Sequence, residues 1–356
     1  MMHPVNFEQN AVFDCSWQSA MKQAFREVGA LCEALGLNPE TVGDRAANRL
    51  SPEAFAEFPL FVPRQFAVRM EAGNANDPLL QQILPIAAEV QPQPNFLFDP
   101  LAESAAKAAP GLLHKYPGRA LLITNGACAI HCRYCFRRHY PYTDEPKSLA
   151  DWSAALQYIE ADPTIEEVLL SGGDPLTLVD TTLEELAHRL ADIPHLRRLR
   201  IHTRLPIVIP QRVNSELLNW LTGTRLTTSV VVHCNHPNEL GEENDDPVNA
   251  AVGRLIDRGV PVLNQAVLLK GINDDEETLF QLHRKLINAR VLPYYLHQLD
   301  RVQGAAHFEV ERKQGLRLIE ALRKRLPGYA IPQYVEERPH ELSKLPIAMF
   351  EHRDCE

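Results

Sequence analysis

The sequence has no run of about 18 apolar residues, no basic stretch followed by an apolar one near its first residues, and no excess of positive charge. The first two features lead us to expect neither a membrane span nor an export signal. A net charge of −10 without a concentrated basic face argues against a nucleic-acid partner. The seven cysteines are an odd number, and 356 residues can bury a core without disulfides. We therefore expect a cytoplasmic protein with reduced thiols available to metal.

Three of these cysteines lie within eight residues, in the stretch Cys128-Ala-Ile-His-Cys-Arg-Tyr-Cys135. Thiolates at this C-x3-C-x2-C spacing can hold one soft-metal centre, and iron–sulfur clusters are bound by cysteine thiolates. Three ligands on a four-iron cluster would leave one iron open to a small molecule. The alternatives are a zinc site completed by His131 or His139, or three ordinary thiols.

From residue 120 onward, short β-branched runs alternate with amphipathic helical patterns, which predicts βα units around a parallel sheet. Six units are too few for a closed eight-fold barrel, so we expect an α/β fold with a partial (β/α)6 barrel. An N-terminal helical region and linker (1–110), with a helix at 17–35 and a linker at 91–110, would precede the barrel core (111–327). A C-terminal segment (328–356) would follow. The predicted strands are 120–124, 167–171, 197–203, 227–233, 260–270 and 292–299, and the predicted helices are 148–161, 182–191, 215–222, 247–258, 275–289 and 310–326.

Polar residues recur where these strands end, which is the catalytic end of such barrels. Gly172, Gly173 and Asp174 follow the second strand, where glycines allow close backbone approach to a ligand; a tight turn is the simpler explanation. His233 follows the fourth strand and Gln265 lies in the fifth. A core histidine and a turn residue are the alternatives for these two positions.

The order of the motifs and the residues within them are similar to those of the lysine 2,3-aminomutases, a family of radical S-adenosylmethionine (SAM) enzymes. The resemblance covers about residues 61–346. The matching stretches include Asp99-Pro-Leu-Ala-Glu, Pro110-Gly-Leu-Leu-His-Lys-Tyr-Pro, Leu169-Leu-Ser-Gly-Gly-Asp-Pro-Leu, His233-Cys-Asn-His-Pro-Asn-Glu and Asp300-Arg-Val-Gln-Gly-Ala-Ala-His-Phe. The resemblance implies a [4Fe–4S] cluster, SAM and pyridoxal 5′-phosphate (PLP) as cofactors.

The resemblance also implies roles for individual residues. Cys128, Cys132 and Cys135 would bind the cluster, whose open iron holds SAM. The Gly172-Gly173-Asp174 stretch would bind the methionine amino group of SAM, and His233 and Gln265 would contact cofactor.

PLP would be bound covalently by Lys344, with Tyr116 and Arg119 close to its phosphate. From the residues alone, Lys344 would be a surface lysine and Arg119 a member of a surface ion pair.

The substrate implied is lysine. Arg137 would bind its carboxylate as a bidentate pair, and Asp300 and Glu337 its ε-ammonium. The family has aspartate at the second acidic position, so Glu337 adds one methylene. Rim salt bridges of small energy are the alternative for these three residues.

The implied reaction is the 2,3-amino shift that converts L-lysine to β-lysine. The short chain resembles members that supply β-lysine for modification of translation elongation factor P, so that factor and its lysyl ligase would be indirect partners. We also expect a homo-oligomer. The alternatives are a general lysine 2,3-aminomutase that makes β-lysine as a metabolite, and a non-catalytic zinc or iron–sulfur protein.

Overall fold

The computed structural model describes residues 11–40, 42, 49–146, 148 and 150–348, and Cys355 therefore lies outside the described residues. These residues form a ten-stranded sheet whose strand order follows the chain order. The strands are β1 (Lys107–Ala109), β2 (Leu112–Tyr116), β3 (Arg119–Asn125), β4 (Glu167–Gly172), β5 (Arg198–Thr203), β6 (Thr227–Val232), β7 (Val262–Val267), β8 (Leu292–His297), β9 (Gln333–Glu336) and β10 (Leu345–Pro346).

Strands β3 to β9 are parallel, and each is joined to the next by at least one helix. The predicted α/β architecture with six βα units is therefore present, and β3 to β8 match the six predicted strands. The helices are α1 (Trp17–Lys22), α2 (Val28–Ala34), α3 (Pro52–Glu57), α4 (Arg64–Ala67), α5 (Pro78–Gln81), α6 (Ser153–Ala161), α7 (Asp180–Asp192), α8 (Leu205–Val208), α9 (Ser215–Thr222), α10 (Pro247–Asp257), α11 (Glu276–Asn288) and α12 (Arg312–Arg325).

Local sequence explains where the barrel helices begin. Asn214 caps α9 by accepting from the backbone N–H of Leu217, and Asp275 caps α11 by accepting from Thr278. Asp246 caps α10, and proline stands at the first helical position, where its missing N–H costs nothing. Each of these helices buries its apolar face against the sheet, and the N-terminal helices contribute to the same core.

Two predictions about the N-terminal third are wrong. The predicted helix at 17–35 is two helices, α1 and α2, because the intervening Phe25 pairs with Val62: each residue's N–H donates to the other's carbonyl, at 2.8 and 3.0 Å. The predicted linker at 91–110 ends in β1, whose Lys107 lies opposite Leu113 of β2.

The sheet is also larger than predicted. Strands β1 and β2 extend one edge in antiparallel fashion, and β9 and β10 add a parallel and then an antiparallel strand at the other. The three predicted segments (1–110, 111–327 and 328–356) thus each contribute strands to one sheet. No helix of the described residues combines the length and the apolar character needed to cross a membrane.

Candidate active site

A cavity of about 370 Å³ opens at the carboxyl ends of the parallel strands. Its volume lies in the usual range of small-molecule sites. Every site residue predicted from the sequence lines this cavity, although those residues come from regions more than 200 positions apart. They are Tyr116, Arg119, Cys128, Cys132, Cys135, Arg137, Gly172, Gly173, Asp174, His233, Gln265, Asp300, Glu337 and Lys344.

The three cysteines lie on the loop that leaves β3. A backbone hydrogen bond from Cys135 to Cys132 (3.0 Å) makes the loop turn back on itself. Burial raises the pKa of Cys128, and it raises the pKa of Cys135 to about 11, with the neighbouring sulfur groups adding to both shifts. Because metal binds the thiolate, loading such a site would release protons. Cys132 has a cationic partner, since Nη1 of Arg204 lies 2.7 Å from its sulfur.

The histidines of the alternative zinc site are engaged elsewhere. His131 contacts the Pro59 carbonyl through Nδ1 at 2.7 Å and stacks on Phe58, while Nε2 of His139 lies 3.0 Å from the Gln303 carbonyl. Among the described residues, no three histidine, cysteine or carboxylate side chains are close enough to share one metal ion. A cluster does not require this, because each cysteine binds a different iron.

The two glycines keep the end of β4 close to the cysteine loop. A Cβ on Gly173 would lie 2.2 Å from the carbonyl oxygen of Ala127, and one on Gly172, whose φ is +118°, would lie 2.6 Å from that of Asn125. Ala127 precedes the first cysteine, so the glycine pair is needed for backbone packing beside the proposed cluster. The sequence interpretation had considered approach to a ligand and a tight turn, but not this packing of two backbone segments.

Asp174 is buried and caps the turn after β4. Its carboxylate accepts from the Thr203 hydroxyl and from the backbone N–H groups of Arg204, Leu205 and Leu176. Burial raises its pKa to about 6, against the effect of these donors. A carboxylate has about four acceptor positions. The structure therefore gives Asp174 a role in joining β4 to β5, and its predicted contact with an ammonium stays a prediction.

Lys344 lies beside Glu337, inside the cavity. Its Nζ is 2.5 Å from one carboxylate oxygen of Glu337, and the Nζ of Lys115 is 2.7 Å from the other. Burial would raise the pKa of Glu337, but the two ammonium groups outweigh it and hold that pKa well below the usual range. Burial, together with the Glu337 carboxylate, raises the pKa of Asp300 to about 7. The acids predicted to bind substrate are thus neighbours in space.

Arg137 is paired with an acid that the sequence analysis did not identify. Its guanidinium forms a bidentate contact with Glu103, at 2.6 and 2.7 Å, and Nη1 also donates to Ser171 at 3.1 Å. Glu103 therefore occupies the guanidinium N–H groups of Arg137 that were predicted to bind a substrate carboxylate. The remaining pair predicted from the sequence, Tyr116 and Arg119, is stacked: the guanidinium carbon lies 4.7 Å from the ring centroid.

Five cavity residues carry buried polar atoms that have no hydrogen-bond partner among the described residues. Two were predicted as site residues, Gln265 and Tyr116, and three were not, His202, His297 and Arg204, the last through its Nε. An unsatisfied buried polar group costs about 1–3 kcal/mol, so these atoms fit contacts to a bound polar ligand. His233, whose ring centroid is 6.0 Å from that of His202, has a pKa lowered to about 4 by burial and is neutral at pH 7.

The sequence signal for the two missed histidines was their position at the ends of β5 and β8. Arg204 gave the same signal, because it directly follows β5. Glu103 and Lys115 lie in stretches that match the family, but their roles depend on partners distant in sequence.

The model of the radical SAM superfamily matches residues 122–283 of this chain. The L-lysine 2,3-aminomutase of Haemophilus influenzae is 43% identical over 329 residues, covering 92% of this chain and 94% of its own. That of Escherichia coli is 42% identical over 333 residues, covering 93% and 94%. The chain belongs to the lysine 2,3-aminomutase family.

Membership of the lysine 2,3-aminomutase family makes the protein an enzyme of the isomerase class, and it implies a [4Fe–4S] cluster, SAM and PLP as cofactors. The aminomutase of Clostridium subterminale is 38% identical over 279 residues, which cover 78% of this chain and 66% of its own. Among solved structures, a radical SAM methyltransferase from Sphaerobacter thermophilus aligns with 63% of this chain and 68% of its own at 20% identity, with a TM-score of 0.43. That likeness is too weak to support a functional comparison.

Proposed function

We propose that this enzyme moves the amino group of L-lysine from Cα to Cβ and so produces β-lysine. The observation that carries the proposal is that Lys344, the acids beside it and the three cysteines all line one cavity. The cluster, SAM and PLP together supply the radical chemistry that an unactivated Cβ–H bond requires. The protein's part is to hold these groups and the substrate in one orientation and to exclude water.

The cysteine loop forms one side of this site. Cys128, Cys132 and Cys135 hold the cluster, and the strand end at Gly172 and Gly173 lies against their loop. The glycines, Asp174, His233 and Gln265 form the SAM side of the cavity. The unpartnered oxygen of Gln265 supports a contact to cofactor there.

Lys344 is the residue that binds PLP covalently, and Tyr116 and Arg119 lie near the coenzyme phosphate. A fixed guanidinium suits a phosphate dianion, and the unpartnered Tyr116 hydroxyl supports a ligand at this position. The Glu337 carboxylate accepts a hydrogen bond from the Lys344 ammonium and so fixes the position of its nitrogen in the cavity. The ammonium must lose a proton before the amine can attack a carbonyl, and Glu337, whose pKa is held well below the usual range, is not the group that takes it.

Lysine is recognised at its two charged ends. Arg137 binds the carboxylate, for which Glu103 must yield one or both of its contacts to the guanidinium. Asp300 and Glu337 bind the ε-ammonium. Bonding of Lys344 to the coenzyme would take away the ammonium that is paired with one oxygen of Glu337, and that oxygen would then be available to the substrate cation.

The product would serve the β-lysylation of elongation factor P in the cytoplasm. Support for this part of the proposal comes from the resemblance of the sequence to family members that supply β-lysine for that modification. Deleting the gene should remove the β-lysyl group from elongation factor P, as measured by intact mass, and β-lysine in the medium should restore it. Unchanged modification in the deletion strain would instead favour β-lysine as a free metabolite.

The activity is tested by anaerobic reconstitution with iron, sulfide and PLP, followed by reduction and addition of lysine and SAM. We expect a brown protein that forms β-lysine. A colourless protein that binds zinc and leaves lysine unchanged would contradict the proposal.

A further inference from the structure

Arg204 connects the cysteine loop to two other parts of the fold. It follows β5 directly and is almost fully buried, with 6% of its surface exposed. Nη1 lies 2.7 Å from the sulfur of Cys132, while Nη2 donates to Glu239 at 2.9 Å and to the side-chain oxygen of Gln82 at 3.0 Å. One buried cation therefore faces a proposed cluster ligand and a carboxylate at the same time.

Glu239 is fixed by contacts of its own. It ends the stretch 233–239 that stood out in the sequence, and its side chain is completely buried. One carboxylate oxygen accepts from the backbone N–H groups of Asn235 and His236, at 3.0 and 3.1 Å, and the other faces Arg204. Its position is therefore set by the turn after β6, and the carboxylate holds Arg204 in place.

Gln82 completes the support from the N-terminal region. Its amide nitrogen lies 3.3 Å from Glu239, and its oxygen also accepts from Asn235 at 3.1 Å. Tyr134, inside the cysteine loop, accepts a hydrogen bond from Asn235 at 2.6 Å. The guanidinium thus has contacts on several sides, which fixes the direction of its N–H group toward sulfur.

We propose that Arg204 is a positioning residue that hydrogen-bonds the Cys132 sulfur and raises the reduction potential of the bound cluster, while Glu239 opposes that effect by balancing the charge of Arg204. The inference rests on the proposed ligation of the cluster by Cys132. Cluster potentials depend on nearby charge, burial and hydrogen bonds to the sulfurs. One-electron reduction adds negative charge to the cluster, so a buried cation stabilises the reduced form more than the oxidised form.

The two residues therefore predict shifts of opposite sign. Removing the cation in Arg204→Gln makes the cluster harder to reduce, whereas removing the balancing anion in Glu239→Gln makes it easier. We expect each variant to change the ratio of reduced to oxidised cluster at a fixed potential by tenfold or more, which is about 59 mV for a one-electron couple. The measurement is a redox titration of the reconstituted protein with dithionite, followed by the electron paramagnetic resonance signal of the reduced cluster.

Arg200→Gln is the matched control. Arg200 lines the same cavity, but its guanidinium is paired with Glu167, at 2.8 and 3.0 Å. Its loss removes one positive charge from the cavity without removing a donor to sulfur, so its shift should be smaller than that of Arg204→Gln.

Opposite shifts in the two variants support the inference. Unchanged potentials, or shifts in the same direction, overturn it, as does loss of iron from both variants, which would show a purely structural role. If only Arg204→Gln fails to bind iron, the reduction potential of Glu239→Gln becomes the test. A cluster potential in that variant that is not higher than in the wild type overturns the inference. A wild-type protein that binds no cluster would instead contradict the proposed function.

Discussion

The Nζ atom of Lys344 lies 2.5 Å from the carboxylate of Glu337, whose other oxygen is bound by Lys115. The acid assigned to the substrate ammonium therefore binds two lysine ammonium groups of the protein itself. Covalent bonding of Lys344 to the coenzyme, as proposed, would remove one of these partners. We therefore expect coenzyme binding to free one carboxylate oxygen of Glu337 for the substrate ammonium.

Replacing Lys344 with alanine should abolish both the visible absorbance of lysine-bound coenzyme and β-lysine formation, while iron content stays unchanged. Iron binding should be unaffected because Lys344 directly precedes β10, at one end of the strand order, whereas the cysteine loop follows β3, and the Lys344 ammonium contacts Glu337. Lys107→Ala is the control, because Lys107 pairs with Glu145 and does not line the cavity. Retained absorbance in Lys344→Ala would mean that another lysine binds the coenzyme.

Glu337→Gln should raise KM for lysine roughly 10- to 100-fold, because a hydrogen bond to a charged group contributes about 1.5–3 kcal/mol. Glu337→Asp, which restores the residue typical of the family, should retain most of the affinity. Steady-state kinetics at saturating SAM measure both. Equal KM values in the glutamine variant and the wild type would exclude Glu337 from substrate binding.

The rate with lysine should depend on the ionisation of Asp300. Its pKa is raised to about 7 by burial and by Glu337, so the group is protonated, and unable to pair with an ammonium, below that pH. We predict that kcat/KM for lysine falls as the pH is lowered through 7. Asp300→Asn should have low activity and should not show this fall. Because the Lys344 charge lowers the pKa of Asp300, we expect bonding of Lys344 to the coenzyme to shift this fall in rate to higher pH. A wild-type profile that is flat between about pH 6 and 8 would contradict this assignment.

Arg137 should distinguish lysine from lysinamide, which lacks the carboxylate. The wild type is expected to prefer lysine, and Arg137→Met should remove most of that preference, since a bidentate pair cannot form with a neutral amide. The double variant Arg137→Met with Glu103→Gln is the control, because it avoids leaving the Glu103 carboxylate buried without its cation. Unaltered discrimination in both variants would assign the carboxylate to another residue.

Gly173→Ala should reduce the iron bound after reconstitution. The added Cβ would meet the Ala127 carbonyl at 2.2 Å and displace the loop that begins the cysteine motif. Gly328→Ala, where an added Cβ meets no atom within 4 Å, should bind iron like the wild type. Full iron content in Gly173→Ala would show that the loop does not depend on this close approach.

The sequence predicted those site residues that lie close together along the chain or that follow successive strands. Cys128, Cys132 and Cys135 lie close in sequence, and the polar residues that follow β4 to β8 meet because the carboxyl ends of parallel strands share one edge of a sheet. That geometry brings Gly173, Gln265 and the cysteines into one cavity.

Features that depend on distant partners could not be read in this way. The helical pattern of residues 17–35 continues through Phe25, but its pairing with Val62 interrupts the helix. Strand β2 has two apolar residues followed by half-buried polar ones, and it forms because Leu112 lies opposite Leu122 of β3. Short edge strands of this kind owe their conformation to the neighbouring strand more than to propensity.

The most direct test of the whole account is β-lysine formation by the reconstituted, reduced enzyme given lysine and SAM, compared with a variant in which Cys128, Cys132 and Cys135 are alanine. We predict that the wild type forms β-lysine and that the variant binds PLP but forms none. Absence of β-lysine from a wild-type protein that carries both iron and coenzyme, or its formation by the variant, would contradict the account.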